Sequence, residues 1–375
     1  MPYRIGHVTL QTAHGPLSYS DLVSGGRGVT GSEQSMLYLA LAQVRMGNQV
    51  VCYLPTRNPG FHEGVELLDA DQAWPRFRRL DSCDVVISWV TADPMRQLGP
   101  GALKVFSVQV NDWLLNTFAY QDHVDVTVAA TKAHQGWLLQ ELGAPGPEMH
   151  WEIIPNGVEL SRFVGAQEVV RQPYRCVYLS SPDRGLHWLL AMWPEIRFAY
   201  PDAELHIFYE VQKWLDKATF LHSEVGVRAR YVVSRANSLT KHGVVIHGAL
   251  PPGELAKELM KADLSLYPCD PVRPTEGFGV AVMEACASGA VPVITDADAF
   301  GEVYAESGAR MIPRGNSRRW TDEFLEATLS LMAAPSEILQ RREAVMKFAK
   351  DYDWQIVAGQ WQNMIERRLA ERRRG

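Results

Sequence analysis

The 375-residue chain is predicted to be an α/β protein of two Rossmann-like, doubly wound domains, and three observations carry that expectation. Short β-like runs recur through the first half, separated by polar or helical segments, which is the rhythm of a parallel sheet. A second strand–helix–strand series opens at Arg175. The length suffices for two domains, each with its own core.

The opening run Ile5 to Leu10 reads as a buried strand, followed by a long Gly-, Ser- and His-containing loop from His14 to Thr30. Ser32 can cap a helix that runs to Gly47, and Val50 to Leu54 forms the next strand. Further strands are expected at Val85 to Val90, Lys104 to Val110 and Val124 to Ala130. Ligands of such sheets collect beyond the carboxyl ends of the strands. Gln109, Asn111, Asp112 and Trp113 at the end of the 104–110 strand, and Thr131 and Lys132 after the 124–130 strand, are therefore candidates. For Asp112 a loop or capping role is the competing reading. The strand at Trp151 to Ile154 ends in a Pro155-Asn156-Gly157 turn, and the polar stretch Val164 to Pro173 reads as a linker.

In the second half, Arg175 to Ser180 is a strand, a helix follows Ser181-Pro182-Asp183-Arg184-Gly185-Leu186, and Leu205 to Tyr209 is a strand. Residues 211–241 carry no clear pattern. Val244 to Pro252 reads as strand and turn, then a helix from Glu254 to Lys261 and a strand from Leu264 to Pro268. The stretch Thr275 to Ile294 reads as loop, helix, turn and strand. Gly277 and Gly279, flanking Phe278, let a ligand approach backbone N–H groups at a helix start, which suits a phosphate. The tail, Trp354 to Arg374, places Ile356, Val357, Trp361, Met364, Ile365 and Leu369 as an amphipathic helix would.

Two carboxylates bracket the glycine-rich helix start, Glu276 in the loop and Glu284 about two turns inside. Ionised carboxylates only accept hydrogen bonds and so favour vicinal hydroxyls at two ends of one ligand. Alternatively, Glu276 is a favourable charge at a helix N-terminus and Glu284 a solvated helix position. Asp69-Ala70-Asp71 and Asp296-Ala297-Asp298 invite comparison with Asp-x-Asp metal motifs, but a carboxylate pair alone does not complete an octahedral Mg²⁺ site, and no metal is expected. A net charge of -6 argues against a general nucleic-acid binder. Five scattered cysteines suggest neither disulfides nor zinc. No apolar run approaches the roughly 20 residues that span a bilayer, and a cytoplasmic location is expected.

The Glu, seven residues, Glu pattern within EGFGVAVMEACASGAVPVI resembles that of the retaining GT-B glycosyltransferases of family 4 (glycosyl transferases group 1). Ile154-Pro155-Asn156-Gly157-Val158 and Arg184-Gly185-Leu186 are similar to two further family segments, the latter with Arg in place of Lys. The resemblance implies a GT-B fold with two Rossmann-like domains facing a central cleft: residues 1–165 for the acceptor, 172–353 for the donor, and a helix at 354–375 crossing back to the first. It implies that Glu276 meets donor-sugar hydroxyls and that Gly277, Phe278 and Gly279 offer amides to sugar and phosphate. Glu284 would hold the ribose, Arg184 the diphosphate, and Gly248, Ala249 and Leu250 the base. His247 reads more simply as a strand-end residue. Gly31, with Gly25 and Gly26, is similar to the family's first glycine loop; a plain turn is the alternative.

Departures accompany the likeness. Gln109 and Asn111-Asp112 stand where many relatives have a histidine, and Leu179, Ser180 and Ser181 occupy the region of a second cation. Glu210 lies where a glycine is usual, and its charge would repel phosphate. Arg184 could instead be a solvated residue at a helix start. The implied reaction needs no cofactor: a UDP- or GDP-sugar is a substrate, with transfer to a carbohydrate, lipid-linked or small-molecule acceptor. Glu276 and Arg184 are the catalytic candidates, and the leaving phosphate serves as base. The basic end at Arg367, Arg368, Arg372, Arg373 and Arg374 could touch an anionic membrane at its inner face, or simply end a solvated helix. A sugar-nucleotide epimerase or a non-catalytic binder of sugar nucleotides are the alternatives.

Overall fold

The computed structural model describes the chain apart from residues 1, 11, 13–14, 24–27, 71–76, 110–122, 142–149, 219–223, 272–273, 316–318 and 375. The chain divides into two compact units, one of Met1–Val23, Val29–Glu159 and Tyr352–Gly375, the other of Ser24–Gly28 and Leu160–Asp351.

The first unit contains β1 (Arg4–Val8), α1 (Tyr19–Val23), α2 (Gly31–Arg45), β2 (Gln49–Leu54), β3 (Gly60–His62), β4 (Val65–Asp69), β5 (Val85–Trp89), β6 (Leu103–Ser107), β7 (Val126–Ala129), α3 (Lys132–Glu141) and β8 (Trp151–Ile153). The strands form one sheet in the order β3-β4-β2-β1-β5-β6-β7-β8, parallel except for the β3–β4 pair. Residues in β1, β2, β5 and β7 are almost all buried, as strands covered on both faces must be, which is why they read as continuous apolar runs. The β3–β4 hairpin was not expected; its short strands carry no such run.

The second unit contains β9 (Arg175–Tyr178), α4 (Leu186–Ala199), β10 (Glu204–Ile207), α5 (Val211–Ala218), α6 (Glu224–Ser238), β11 (Val244–Ile246), α7 (Pro252–Leu259), β12 (Leu264–Tyr267), α8 (Val280–Ser288), β13 (Val291–Thr295), α9 (Phe300–Tyr304), β14 (Arg310–Ile312), α10 (Arg319–Met332) and α11 (Pro335–Ala349). Its strand order, β11-β10-β9-β12-β13-β14, is the doubly wound 3-2-1-4-5-6 order, all parallel. The topological switch point therefore lies between β9 and β12.

The chain then returns to the first unit as α12 (Trp354–Arg372), capped by Asp353, whose carboxylate accepts from Gln355 N at 2.8 Å. Trp354, Val357, Ala358, Trp361, Met364 and Ile365 join the first unit's core. Ile356, expected on that face, is 49% exposed, because the buried stripe follows positions 354, 357, 358, 361, 364 and 365. The Pro-Asn-Gly turn receives this return: Val158 N donates to Tyr352 O and Trp354 N to Val158 O. A Cβ on Gly157 would lie 2.6 Å from the Trp354 ring. The polar stretch at 164–173 is no free linker, because Arg171 donates to the carbonyls of Ala166, Ala262 and Ser288 inside the second unit.

The expected helix cap is also corrected: α2 starts at Gly31 behind Thr30 rather than at Ser32. Glu33 reaches back to accept from Thr30 N at 2.7 Å and from its hydroxyl at 2.8 Å. Three of the five tail arginines are structural: Arg367 and Arg368 pair with Glu152 of β8, and Arg372 donates to the carbonyls of Ala102 and Pro100. That leaves Arg373 and Arg374 as the exposed basic end. All five cysteines are free and buried.

His7 of β1 is fully buried between Gln43 and Trp89. The indole N–H of Trp89 donates to its Nδ1 at 3.0 Å, so the proton sits on Nε2, 2.7 Å from Gln43 Oε1. Burial holds its pKa down to about 4 against the opposing Gln43 bond. The unfolded chain takes up this proton near pH 6.5 and the folded one only near 4, so stability falls with pH across that window. Acidification from pH 7 to 4.5 is expected to lower the thermal midpoint, and His7→Gln to flatten that dependence in a pH series of melts.

Candidate active site

The loops after β9 and β12 meet at the switch point of the second sheet, where open α/β sheets bind their ligands. The first carries Ser180 and Arg184, the second Glu276 to Gly279. Their junction is tight: Gly185 has φ +122°, and a Cβ there would stand 1.9 Å from Pro268 O. This close approach is what the Arg-Gly-Leu segment required of its glycine.

Arg184 Nη1 and Glu276 Oε1 form an ion pair. Tyr267, the last residue of β12, brings its hydroxyl to 2.6 Å from the same Oε1 and 2.7 Å from Ser180 Oγ. Burial would pull the Arg184 pKa down, but Glu276 above all, with Tyr267 and Asp183, drives it well above its ordinary value. The side chain stays 31% exposed, while that of Glu276 is 7% exposed, so a cation is reachable above a sunken carboxylate. Arg184 is thus no solvated helix-start residue.

The Glu276 peptide is held from behind. Asp298 Oδ2 accepts from Thr275 N at 2.8 Å and Glu276 N at 2.9 Å, and Ala299 N donates to Glu276 O at 3.2 Å. Burial pushes the Asp298 carboxyl up, and the two amides partly counter it. Asp296 accepts from Arg314 N at 2.6 Å. In the other Asp-x-Asp, Asp69 Oδ1 accepts from Thr56 N at 3.4 Å, and Asp71 lies outside the described residues.

Gly279 precedes α8 with φ +86°, and a Cβ would stand 2.5 Å from Phe300. Phe278 is buried, its ring part of the packing of the second unit. Glu284 is also buried rather than solvated: it pairs with Arg162 at 2.7 Å, and Arg162 also donates to Pro252 O at 2.9 Å. Both side chains are under 10% exposed, so removing the acceptor strands a buried charge. Glu284→Ala is expected to cost about 3 kcal/mol of stability, near the lower bound for such a loss because Pro252 O remains. Glu284→Gln keeps an acceptor and should cost far less in the same denaturant titration.

Gly248, Ala249 and Leu250 follow β11. Gly248 has φ +75° with Glu210 beside it, the Glu carboxylate oxygen 3.7 Å from where a Cβ would be. Glu210 itself pairs with Lys213 at 3.2 Å. Leu250 lines a cavity of about 560 Å³ together with Val169, His247, Glu254 and Met260. His247 is the expected residue at a strand end with its hydrogen bond satisfied: its Nε2 is 2.8 Å from His206 Nδ1, and its ring stacks on Phe208 at 4.5 Å.

In the first unit, Gln109 Nε2 donates to Ser107 Oγ at 3.0 Å and its Oε1 accepts from Asn156 Nδ2 at 3.1 Å, tying the end of β6 to the Pro-Asn-Gly turn. Gly31 is the first residue of α2. Asn111, Asp112, Trp113, Gly25 and Gly26 lie outside the described residues. At the carboxyl end of β5, beside the switch point of this sheet, Val90 has φ +69°, a strained conformation for a β-branched residue.

Sequence reading missed Tyr267, Asp298 as a clamp, Arg162 and Arg228. Arg228, from α6, donates to Asp183 O at 3.1 Å and Asp270 O at 3.0 Å, tying together the loops after β9 and β12.

Two doubly wound units, the second with a cation, two carboxylates and a glycine-capped helix around its switch point, define the GT-B class. Residues 174–333 match the family model described as glycosyl transferases group 1. The phosphatidyl-myo-inositol mannosyltransferase of Mycolicibacterium smegmatis is 24% identical over 258 residues, 66% of this chain and 58% of that protein. The GDP-mannose:cellobiosyl-diphosphopolyprenol alpha-mannosyltransferase of Xanthomonas oryzae pv. oryzae is 25% identical over 240 residues, 62% and 56% of the two chains. The chain thus aligns with under two thirds of the length of these curated relatives. Among solved structures, sucrose-phosphate synthase from Thermosynechococcus elongatus superposes with a TM-score of 0.71 at 12% identity, over 98% of this chain and 100% of that one. The chain has the GT-B fold over its length, and its second unit carries the stretch that matches the glycosyl transferases group 1 model.

Proposed function

We propose that the chain is a retaining glycosyltransferase that moves a sugar from a nucleoside-diphosphate donor to an acceptor hydroxyl without a metal ion. The observation that carries this reading is the Arg184–Glu276 pair at the switch point of the second sheet. The half-exposed guanidinium exchanges its carboxylate for the donor diphosphate, and the released Glu276 accepts from hydroxyls of the donor sugar. Negative charge grows on the leaving diphosphate as the glycosidic bond breaks, and Arg184 with the amides of Gly277 to Gly279 stabilises it. The leaving phosphate takes the acceptor's proton, so no side chain is assigned as base. Glu284 holds the ribose and the Gly248–Leu250 turn the base.

GDP-mannose is the first donor to try, since two relatives are mannosyltransferases and one carries GDP-mannose in its name. UDP-sugars come next. The acceptor is a carbohydrate or lipid-linked hydroxyl bound by the first unit's loops, on the cytoplasmic side. No helix among the described residues is long and apolar enough to cross a membrane, and the exposed Arg373 and Arg374 would supply only a peripheral contact.

The test is nucleotide release from GDP- and UDP-sugars with and without an acceptor panel, followed by proton NMR of the product's anomeric centre. Acceptor-dependent release with the donor's anomeric configuration preserved is the expected result. Interconversion of the donor alone would assign an epimerase, and binding without turnover a non-catalytic homologue.

A further inference from the structure

We infer that Tyr267, backed by Ser180, and Asp298 are positioning residues that orient Glu276, presenting carboxylate oxygen Oε2 to the donor sugar. This rests on the donor reading above and adds to it which groups set the carboxylate's orientation.

The hydrogen-bond directions fix the arrangement. A phenol has one proton to give, and Tyr267 stands 2.6 Å from a carboxylate oxygen that can only accept and 2.7 Å from a hydroxyl that can do either. The phenol therefore donates to Glu276 Oε1, and Ser180 donates to Tyr267. Burial, and then the adjacent Glu276 carboxylate, push the phenol well above its ordinary pKa, so the proton stays in place. Glu276 Oε1 thus collects both Arg184 and Tyr267, with the Ser180 hydroxyl also 3.4 Å from it, while Oε2 has no hydrogen-bond partner among the described residues.

The two donors on Oε1 differ in kind. Arg184 is 31% exposed on a long chain and is the group that turns to phosphate, whereas Tyr267 is 3% exposed and wedged against Tyr178 and Phe300 at 5.5 and 5.4 Å between ring centres. When Arg184 leaves, Tyr267 remains. The backbone end of the same residue is fixed independently by Asp298, which holds two consecutive amides in the left-handed conformation (φ +57°) of its own backbone. With one end clamped and one oxygen occupied, the remaining oxygen faces the ligand without having to be ordered at binding.

The test is titration calorimetry of the full chain with a nucleoside diphosphate and with its sugar conjugate, GDP against GDP-mannose and UDP against UDP-glucose. The readout is the ratio of the two affinities, which reports the contacts to the sugar. Tyr267→Phe, which removes one oxygen from a packed ring, is expected to cut that ratio about tenfold while leaving the affinity for the diphosphate within about twofold. This is the size of one lost hydrogen bond to a charged group. Asp298→Ala is expected to do the same, and Asp298→Asn, which keeps an acceptor oxygen for both amides, to restore most of it.

Equal losses of both affinities in Tyr267→Phe and Asp298→Ala would reduce these residues to general structural roles and overturn the inference. So would an unchanged ratio in a wild type that binds the sugar conjugate. A folded wild type that binds neither ligand overturns the donor reading itself and this inference with it.

Discussion

Gly185→Ala is expected to destabilise the second unit by about 4 kcal/mol, combining backbone strain and overpacking of about 1–3 kcal/mol each. Its φ of +122° lies outside what a side chain tolerates, and the added methyl would sit 1.9 Å from a backbone carbonyl, Pro268 O, which cannot rotate away. Relief requires the start of α4 to withdraw from the loop after β12, and that movement separates Arg184 from Glu276. Loss of donor binding and a lower unfolding midpoint should therefore appear together. Gly359→Ala in α12 is the control of opposite sign. Nothing lies within 4 Å of its Cβ, and alanine in a helix interior is worth up to about 1 kcal/mol over glycine. Melts of the two variants, read beside the wild type, check both expectations.

Glu276→Gln is expected to lower turnover by about 10²–10³-fold, the range seen when one electrostatic contact made in a transition state is removed. The amide keeps the shape of the side chain and still accepts from Tyr267, so the protein should fold. On the proposed reaction, what it loses is the negative charge beside a sugar that becomes cationic as the donor bond breaks, together with the ion pair to Arg184. The second loss has an opposite consequence for binding. Freed of its carboxylate, Arg184 is available to phosphate at once, so affinity for the nucleoside diphosphate should hold or rise while turnover falls. A parallel loss of affinity and turnover would mean that Glu276 serves the fold and not the reaction.

Much of this was legible in the residues. The buried parallel strands announced themselves as apolar runs, and Arg184 and Glu276 to Gly279 were named as parts of one site only through the family resemblance. The strand order brings those two loops together, and no local pattern shows that directly. The less legible parts depend on contacts distant in sequence. Arg162 finds Glu284 across 122 residues and Asp298 finds the Glu276 amide across 22, and nothing local marks either. Residues 211–241 carried no readable pattern, yet α6 supplies Arg228, whose guanidinium ties the loops of the site together. The tail arginines were visible as a cluster, but only the fold shows Glu152 beneath two of them. The role of Asp298 was hidden for the same reason: its spacing from Asp296 shows only an Asp-x-Asp, while its carboxylate accepts from the Thr275 and Glu276 amides.

The most direct measurement is calorimetric titration of the folded wild type and of Arg184→Met with GDP-mannose and UDP-glucose. Saturable one-site binding of one donor family, weakened at least about tenfold when the guanidinium is removed, is the expected result. Absence of binding to the wild type, or identical binding by both proteins, would contradict a diphosphate site at Arg184.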